Sequence, residues 1–222
     1  MPAILKFQGI LFDLDGTLLD TADDLGAALN HVLTLHDMPT VTEAEYRTAA
    51  SDGSIALLNL GFGKMIGNFS LEVLREEFLK YYQGNIAIHT RFYPGIDSLL
   101  KHLNKQKIPW GVVTNKPIDM TLDLLPHFDE FSSPYCLSII GGDSLPQRKP
   151  HPAPLLQASK AIDVSAKQCI YVGDALRDIT AGNSANMFTI IAEWGYITDL
   201  KECKNWQANL SVKDPNEILK HI

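Results

Sequence analysis

Five short, largely apolar runs are spaced along this chain, and they restrict its fold more than any other feature. Ile10-Leu11-Phe12, Val112-Val113, Leu137–Ile140, Cys169–Val172 and Phe188–Ala192 each read as a buried strand bounded by turn or helix signals. Before and between the later runs lie helical patterns, through Leu99, Leu100 and Leu103, from Met120 to Leu125, from Leu155 to Ala161 and from Ile179 to Asn186. Pro215 stands where it would open a last short helix at its first position. Apolar strands alternating with helices require a parallel sheet covered on both faces. The predicted fold class is therefore α/β, with a Rossmann-like parallel sheet core.

The first run is cut off from the others by a long helical stretch. Leu25, Ala28, Leu29, Val32 and Leu33 recur at helical spacing, with Asp23 and Asp24 suited to the first turn. Pro39 ends that helix, and Thr42-Glu43-Ala44-Glu45 has capping-box spacing for a second one running to about Ala50. Ser51-Asp52-Gly53-Ser54 breaks the pattern before a third helix. Leu71, Leu74, Phe78 and Tyr81 or Tyr82 line a fourth, stopped near Gly84. From about Leu19 to Ile88 there is no strand signal. The predicted organisation is a core made of residues 1–18 and 89–222, with a small α-helical domain inserted at 19–88.

Composition excludes several classes of partner. The chain has 222 residues, 45% of them hydrophobic, enough for one sizeable core or a core plus a small accessory domain. Its net charge of −7, without a polybasic block, disfavours nucleic acid and anionic membranes. Cys136, Cys169 and Cys203 are odd in number and far apart, which reads as reduced thiols in a cytoplasmic protein. Met1 to Phe7 lacks the basic-then-apolar layout of a signal peptide, and no apolar run approaches a membrane span. A cytoplasmic monomer or homodimer is expected.

Polar residues cluster where the strands end. Asp13 and Asp15 follow the first run, two residues apart and just before Gly16. Alternation along a strand would send both carboxylates the same way. Like charges so close need a counter-charge, a shared proton or a divalent cation. The next strand delivers Thr114-Asn115-Lys116, the fourth delivers Gly173-Asp174 with Asp178 one turn on, and Lys149 falls in the connection between them. Ligands of open parallel sheets bind at the carboxyl ends of strands. Carboxylates, a hydroxyl and an ammonium are thus predicted to converge on one edge.

Asp13-Leu14-Asp15-Gly16-Thr17, Thr114-Asn115, Lys149-Pro150 and Gly173-Asp174-Ala175-Leu176-Arg177-Asp178 resemble, in order, the four motifs of haloacid-dehalogenase-superfamily phosphatases. The resemblance spans essentially the whole chain, and the helical insertion is similar to that family's small α-helical cap. It implies that Asp13 attacks phosphorus and that Asp15 protonates the leaving group and then activates water. It implies that Thr114, Asn115 and Lys149 hold the phosphoryl oxygens. It further implies Mg²⁺ bound by Asp13, Asp174 and the backbone carbonyl of Asp15, with Asp178 supporting the metal directly or through water.

An acid at position 15 points to phosphate esters, because halide leaves without a proton. Phosphonate hydrolysis would look for a cap lysine, and Lys64 sits in a glycine-rich loop poorly suited to it. The whole chain resembles phosphoglycolate phosphatases, which implies a small phosphorylated metabolite as partner. Arg47, Ser51, Asp52 and Gly53 of the cap are the expected specificity residues, Arg47 meeting a carboxylate. Asp52 would repel that carboxylate. The cap loop, Gly195-Tyr196-Ile197 and Trp206 also resemble N-acetylmuramic acid 6-phosphate phosphatases, whose sugar would offer hydroxyls to Asp52. A phosphate mutase and a non-catalytic phosphometabolite binder are the remaining alternatives.

Overall fold

The computed structural model describes residues 7–222; Met1 to Lys6, and with them most of the N-terminal stretch judged against a signal peptide, lie outside the described residues. In chain order the strands are β1 (Gly9–Phe12), β2 (Leu19–Asp20), β3 (Arg91–Phe92), β4 (Trp110–Val113), β5 (Cys136–Ile140), β6 (Cys169–Gly173), β7 (Phe188–Ala192) and β8 (Leu210–Val212). The helices are α1 (Ala22–Leu35), α2 (Glu43–Ala50), α3 (Gly53–Phe62), α4 (Leu71–Gly84), α5 (Ile96–Gln106), α6 (Ile118–Leu124), α7 (Ala153–Ala161) and α8 (Leu176–Ser184). Pro215–His221 winds as a 3₁₀ turn, opened by its proline. Among the described residues no helix is long and apolar enough to cross a membrane.

The described residues divide into two compact units, 7–19 with 92–222 and 20–91. The first unit contains a six-stranded parallel sheet in the order β5-β4-β1-β6-β7-β8. β1 is central: Ile10 pairs with Trp110 on one side and Ile170 on the other. All four of its residues are buried, which is why this run is apolar without alternation. The chain builds outward from β1 first through β4 and β5, then on the other side through β6, β7 and β8. That reversal puts the crevice of the sheet at the C-terminal end of β1.

Both sheet faces are filled. Leu11, Val113, Leu155, Ala158, Ile162, Tyr171 and Ala181 belong to one buried cluster. Trp110 lies edge-on to Phe12 and packs on Phe131, with its indole N–H donating to Asn104 Oδ1 at 3.0 Å. Burying each such ring contributes about 1.5–3 kcal/mol relative to exposure.

The second unit is helical. Leu29, Val32 and Leu33 of α1, Leu57, Leu58 and Phe62 of α3, and Leu74, Phe78 and Tyr82 of α4 are among its buried apolar residues. The capping box at Thr42 and Glu45 forms, the Thr42 N–H donating to Glu45 Oε2 at 2.7 Å. Asp24, buried in the first turn of α1, accepts from the N–H groups of His89 and Thr90 and from the Thr90 hydroxyl at 2.7–3.1 Å. That carboxylate ties the first helix of the unit to its last segment.

Two features depart from the sequence reading. The stretch from Leu19 to Ile88 was expected to lack strands, yet Leu19–Asp20 and Arg91–Phe92 form a separate two-stranded sheet. Two-residue strands are too short to show alternation. β8 was also not expected; it is a three-residue strand at the sheet's edge beside β7, set among polar neighbours.

Candidate active site

β1 stops at Phe12, and Asp13 sits just beyond it, its N–H donating to the Val172 carbonyl of β6 at 2.9 Å. Oδ1 of Asp13 accepts from the Leu14 N–H at 2.7 Å and lies 2.8 Å from Lys149 Nζ. Lys149 has none of its side chain exposed, and its ammonium also meets Asp178 Oδ1 at 2.7 Å, the Val113 carbonyl at 2.8 Å and the Tyr171 hydroxyl at 2.8 Å. A lysine this deep survives only because it is fully partnered. Its partners come from the residue just after β1, from β4 and β6, and from α8, so one ammonium gathers four segments at the sheet's end.

Asp174 and Asp178 arrive from β6 and the first turn of α8. Asp178 caps its own helix by accepting from the Ala175 N–H at 3.0 Å. Gly173 permits this, since a Cβ there would stand 2.4 Å from Asp178 Cβ. Asp174 accepts from the Thr17 hydroxyl at 3.1 Å and from the Tyr196 N–H at 2.9 Å. Gly16 takes φ +84, a backbone region that suits glycine, and a Cβ on it would strike Asp174 Oδ2 at 2.3 Å. Gly195 is equally tight, its would-be Cβ 2.3 Å from Asp174 Cβ and 2.4 Å from the Gly16 carbonyl. The Trp194 indole closes this brace by donating to the Thr17 carbonyl at 2.9 Å.

Asp13, Asp174 and Asp178 each offer an oxygen within 4.8 Å of the others, and all three are buried. Burial, then repulsion from Asp178, raises Asp13 to about 6, against the pull of Lys149. Burial, then Asp13 and Asp178, raises Asp174 to about 8. Such a set of hard, mutually repelling carboxylate oxygens fits an oxygen-seeking divalent cation such as Mg²⁺.

The two carboxylates after β1 have different lysine partners. Asp15 turns to Lys116, Nζ to Oδ1 3.0 Å, with only 6% of the lysine side chain and 16% of the aspartate's exposed. It therefore stands outside the three-carboxylate cluster, and only its backbone carbonyl is a candidate metal ligand. Simple strand alternation does not hold here because β1 ends at Phe12, before either aspartate.

Thr114 follows β4, its N–H donating to the Ile140 carbonyl at 2.9 Å. Its hydroxyl accepts from the Lys116 N–H at 3.1 Å, which leaves the hydroxyl hydrogen to donate. Asn115, expected among the phosphate ligands, donates its side-chain amide to the Lys149 carbonyl at 2.9 Å. Its Oδ1 is buried without a hydrogen-bond partner. Asn115 thus joins the turn after β4 to the lysine loop.

The expected specificity residues belong to the helical unit. Arg47 is engaged there by Asp20 through two bonds of 3.1 and 3.0 Å, by Asp23 at 3.2 Å and by Glu43 at 2.8 Å. Burial works against its charge, but the Asp20 and Glu43 hydrogen bonds outweigh it and hold the guanidinium fully protonated. Ser51 and Asp52 join α2 to α3, with Gly53, at φ +80, opening α3.

Sequence reasoning gave no role to Thr17, Lys116, Tyr171 or Trp194. Thr17 lay inside a quoted motif, and Lys116 beside Asn115 at the same strand end. Tyr171 is indistinguishable from core in an apolar strand, and nothing in the sequence ties Trp194 to Thr17.

A sequence model of the haloacid dehalogenase-like hydrolase family matches residues 10–192. The chain is 39% identical over 211 residues to the phosphoglycolate phosphatase of Xanthomonas campestris pv. campestris, covering 95% of this chain and 94% of that one. It is 34% identical over 215 residues to the N-acetylmuramic acid 6-phosphate phosphatase of Pseudomonas aeruginosa, covering 97% and 94%. A crystal structure described as a predicted phosphoglycolate phosphatase from Haemophilus somnus superposes with a TM-score of 0.85 at 28% identity, covering 97% of each chain.

Proposed function

The chain belongs to the haloacid dehalogenase-like hydrolases and is a phosphoric monoester hydrolase, and we propose that it cleaves a small phosphorylated metabolite through a phospho-enzyme on Asp13. The observation that carries this reading is the Asp13–Lys149 pair at 2.8 Å inside a buried carboxylate cluster. With Oδ1 held by Lys149 and the Leu14 N–H, Oδ2 is the nucleophilic oxygen. It forms a bond to phosphorus as the ester P–O bond breaks, and the proton of Asp15 goes to the leaving alkoxide. Water then attacks phosphorus, Asp15 takes back a proton, and the Asp13–phosphorus bond breaks to release phosphate. Thr114 donates its hydroxyl hydrogen to a phosphoryl oxygen, and Lys149 restrains the nucleophile.

Asp13, Asp174 and the carbonyl of Asp15 would hold Mg²⁺, with Asp178 beside them. Bound there, the metal supplies positive charge against the phosphoryl oxygens. Substrate choice is assigned to the helical unit, with Ser51, Asp52 and Gly53 as its specificity loop. The relatives named phosphoglycolate phosphatase make phosphoglycolate the first ester to test. The occupied guanidinium of Arg47 favours a second reading, a larger sugar phosphate held through its hydroxyls, because a small substrate that relied on Arg47 for its carboxylate would have to displace Asp20 or Asp23. The discriminating experiment is Mg²⁺-dependent phosphate release from phosphoglycolate and N-acetylmuramic acid 6-phosphate side by side. Release from neither, nor from p-nitrophenyl phosphate, would overturn the reading.

A further inference from the structure

We propose that Lys116 is a positioning residue for the proton-transferring carboxylate of Asp15, an inference that rests on the phosphatase reading above. Its ammonium lies 3.0 Å from Asp15 Oδ1, across a separation of 101 residues. A lysine at the surface would leave its head in water, yet this side chain is 6% exposed. Its backbone is fixed at both ends of the residue. The N–H donates to Thr114 Oγ1 at 3.1 Å, and the carbonyl accepts from the Gly142 N–H at 2.8 Å. Gly142 comes close enough that a Cβ there would fall 2.2 Å from the Asn115 carbonyl oxygen. The turn that carries the phosphate-facing hydroxyl therefore also aims the ammonium.

The consequence is geometric. Asp15 lies beyond the end of β1, where the chain is already turning through Gly16; a β-bridge to Leu19 fixes its backbone but leaves the side-chain torsions to be set by other contacts. An ion pair to Oδ1 from the neighbouring strand end restricts rotation of the carboxylate and sets its distance from the leaving oxygen. Lys149 does this for the nucleophile, and Lys116 for the acid. Two lysines thus divide two adjacent aspartates between them. A displacement of about 1 Å at a reacting group costs on the order of 100-fold in rate, so the pair should show in the step that needs the proton.

That step can be isolated through kcat/KM, which reports phosphoryl transfer to Asp13 and not the later hydrolysis common to all substrates. An alkyl leaving group such as that of phosphoglycolate needs the proton, and p-nitrophenolate needs it little. Lys116→Met should lower kcat/KM for the alkyl ester by about 10- to 100-fold and for p-nitrophenyl phosphate by less than about threefold. Lys116→Arg should recover most of the loss. An equal fall on both esters would mean a merely structural role, and no fall on either would mean no role; each overturns the proposal. Asp15→Asn, measured in parallel, should show the same selectivity. Its failure to do so would overturn the assignment of Asp15 and the role of Lys116 with it, whereas selectivity in D15N without selectivity in K116M overturns Lys116 alone. If K116M does not fold, Lys116→Gln makes the same comparison with the same deciding outcomes.

Discussion

Lys149 and Asp13 meet at 2.8 Å, and the same ammonium is 2.7 Å from Asp178. One cation thereby offsets two buried acids from different ends of the chain. Removing it leaves buried charge uncompensated, which typically costs about 3–5 kcal/mol. Lys149→Met is expected to abolish phosphatase activity and to lower the thermal midpoint in metal-free buffer. A variant that melts like the parent would show that the pair contributes nothing net.

Asp13→Asn keeps the shape of the nucleophile but takes away its charge. Release of phosphate should fall by about 10³-fold or more, and no acid-stable label should transfer from a ³²P-ester to the protein. Activity near that of the parent would remove Asp13 from the nucleophilic role.

The raised positions of Asp13, at about 6, and Asp174, at about 8, set a pH dependence for the metal-free protein. In the unfolded chain both ionise near 3.8, so between that value and about 8 the folded protein holds more protons than the unfolded one. This contribution to stability is complete below about pH 4 and is lost as pH rises through 6 and then 8. A cation binds the ionised carboxylates, so the Mg²⁺-induced rise in melting temperature should be larger at pH 8 than at pH 5.5. Paired melts with Mg²⁺ and with EDTA at the two values check this; equal shifts would refute it.

Gly195 touches both Asp174 and the Gly16 carbonyl. Gly195→Ala must push Asp174 aside, and disturbing such support for a metal ligand typically weakens binding by about 10- to 100-fold. Titration of the thermal shift with Mg²⁺ should show the weakening. An unchanged midpoint of that titration would mean that the brace relaxes without cost.

Arg47→Ala should destabilise the helical unit without changing the preference between phosphoglycolate and N-acetylmuramic acid 6-phosphate. The ion pairs are about one-third exposed, so the loss should be about 1 kcal/mol. A selective rise in KM for phosphoglycolate would instead place Arg47 on the substrate's carboxylate.

The parallel sheet was legible because its central strands are buried on both faces and hence written as unbroken apolar runs, Ile10–Phe12 above all. β8 was not, since an edge strand of three residues needs no such run. The cluster of Asp13, Lys149, Asp174 and Asp178 could be read from strand-end position and motif spacing. What could not be read was direction. Nothing in the sequence shows that the Asn115 amide meets the Lys149 carbonyl, or that three carboxylates surround Arg47. Which partner a polar side chain takes is settled by tertiary approach, as with Lys116 and Asp15.

The central place of β1 has a consequence for how the chain is made. It is synthesised before every other strand of the sheet, and both its neighbours, Trp110–Val112 and Cys169–Val172, come much later. Pairings so distant in sequence are slow to form. The nascent chain must therefore carry Ile10-Leu11-Phe12 unpaired while the helical unit of residues 20–91, whose contacts are local, is already able to fold. A translating chain stalled with residues 20–91 outside the ribosome and Trp110–Val112 still inside it should resist protease within that unit and remain cleavable around β1.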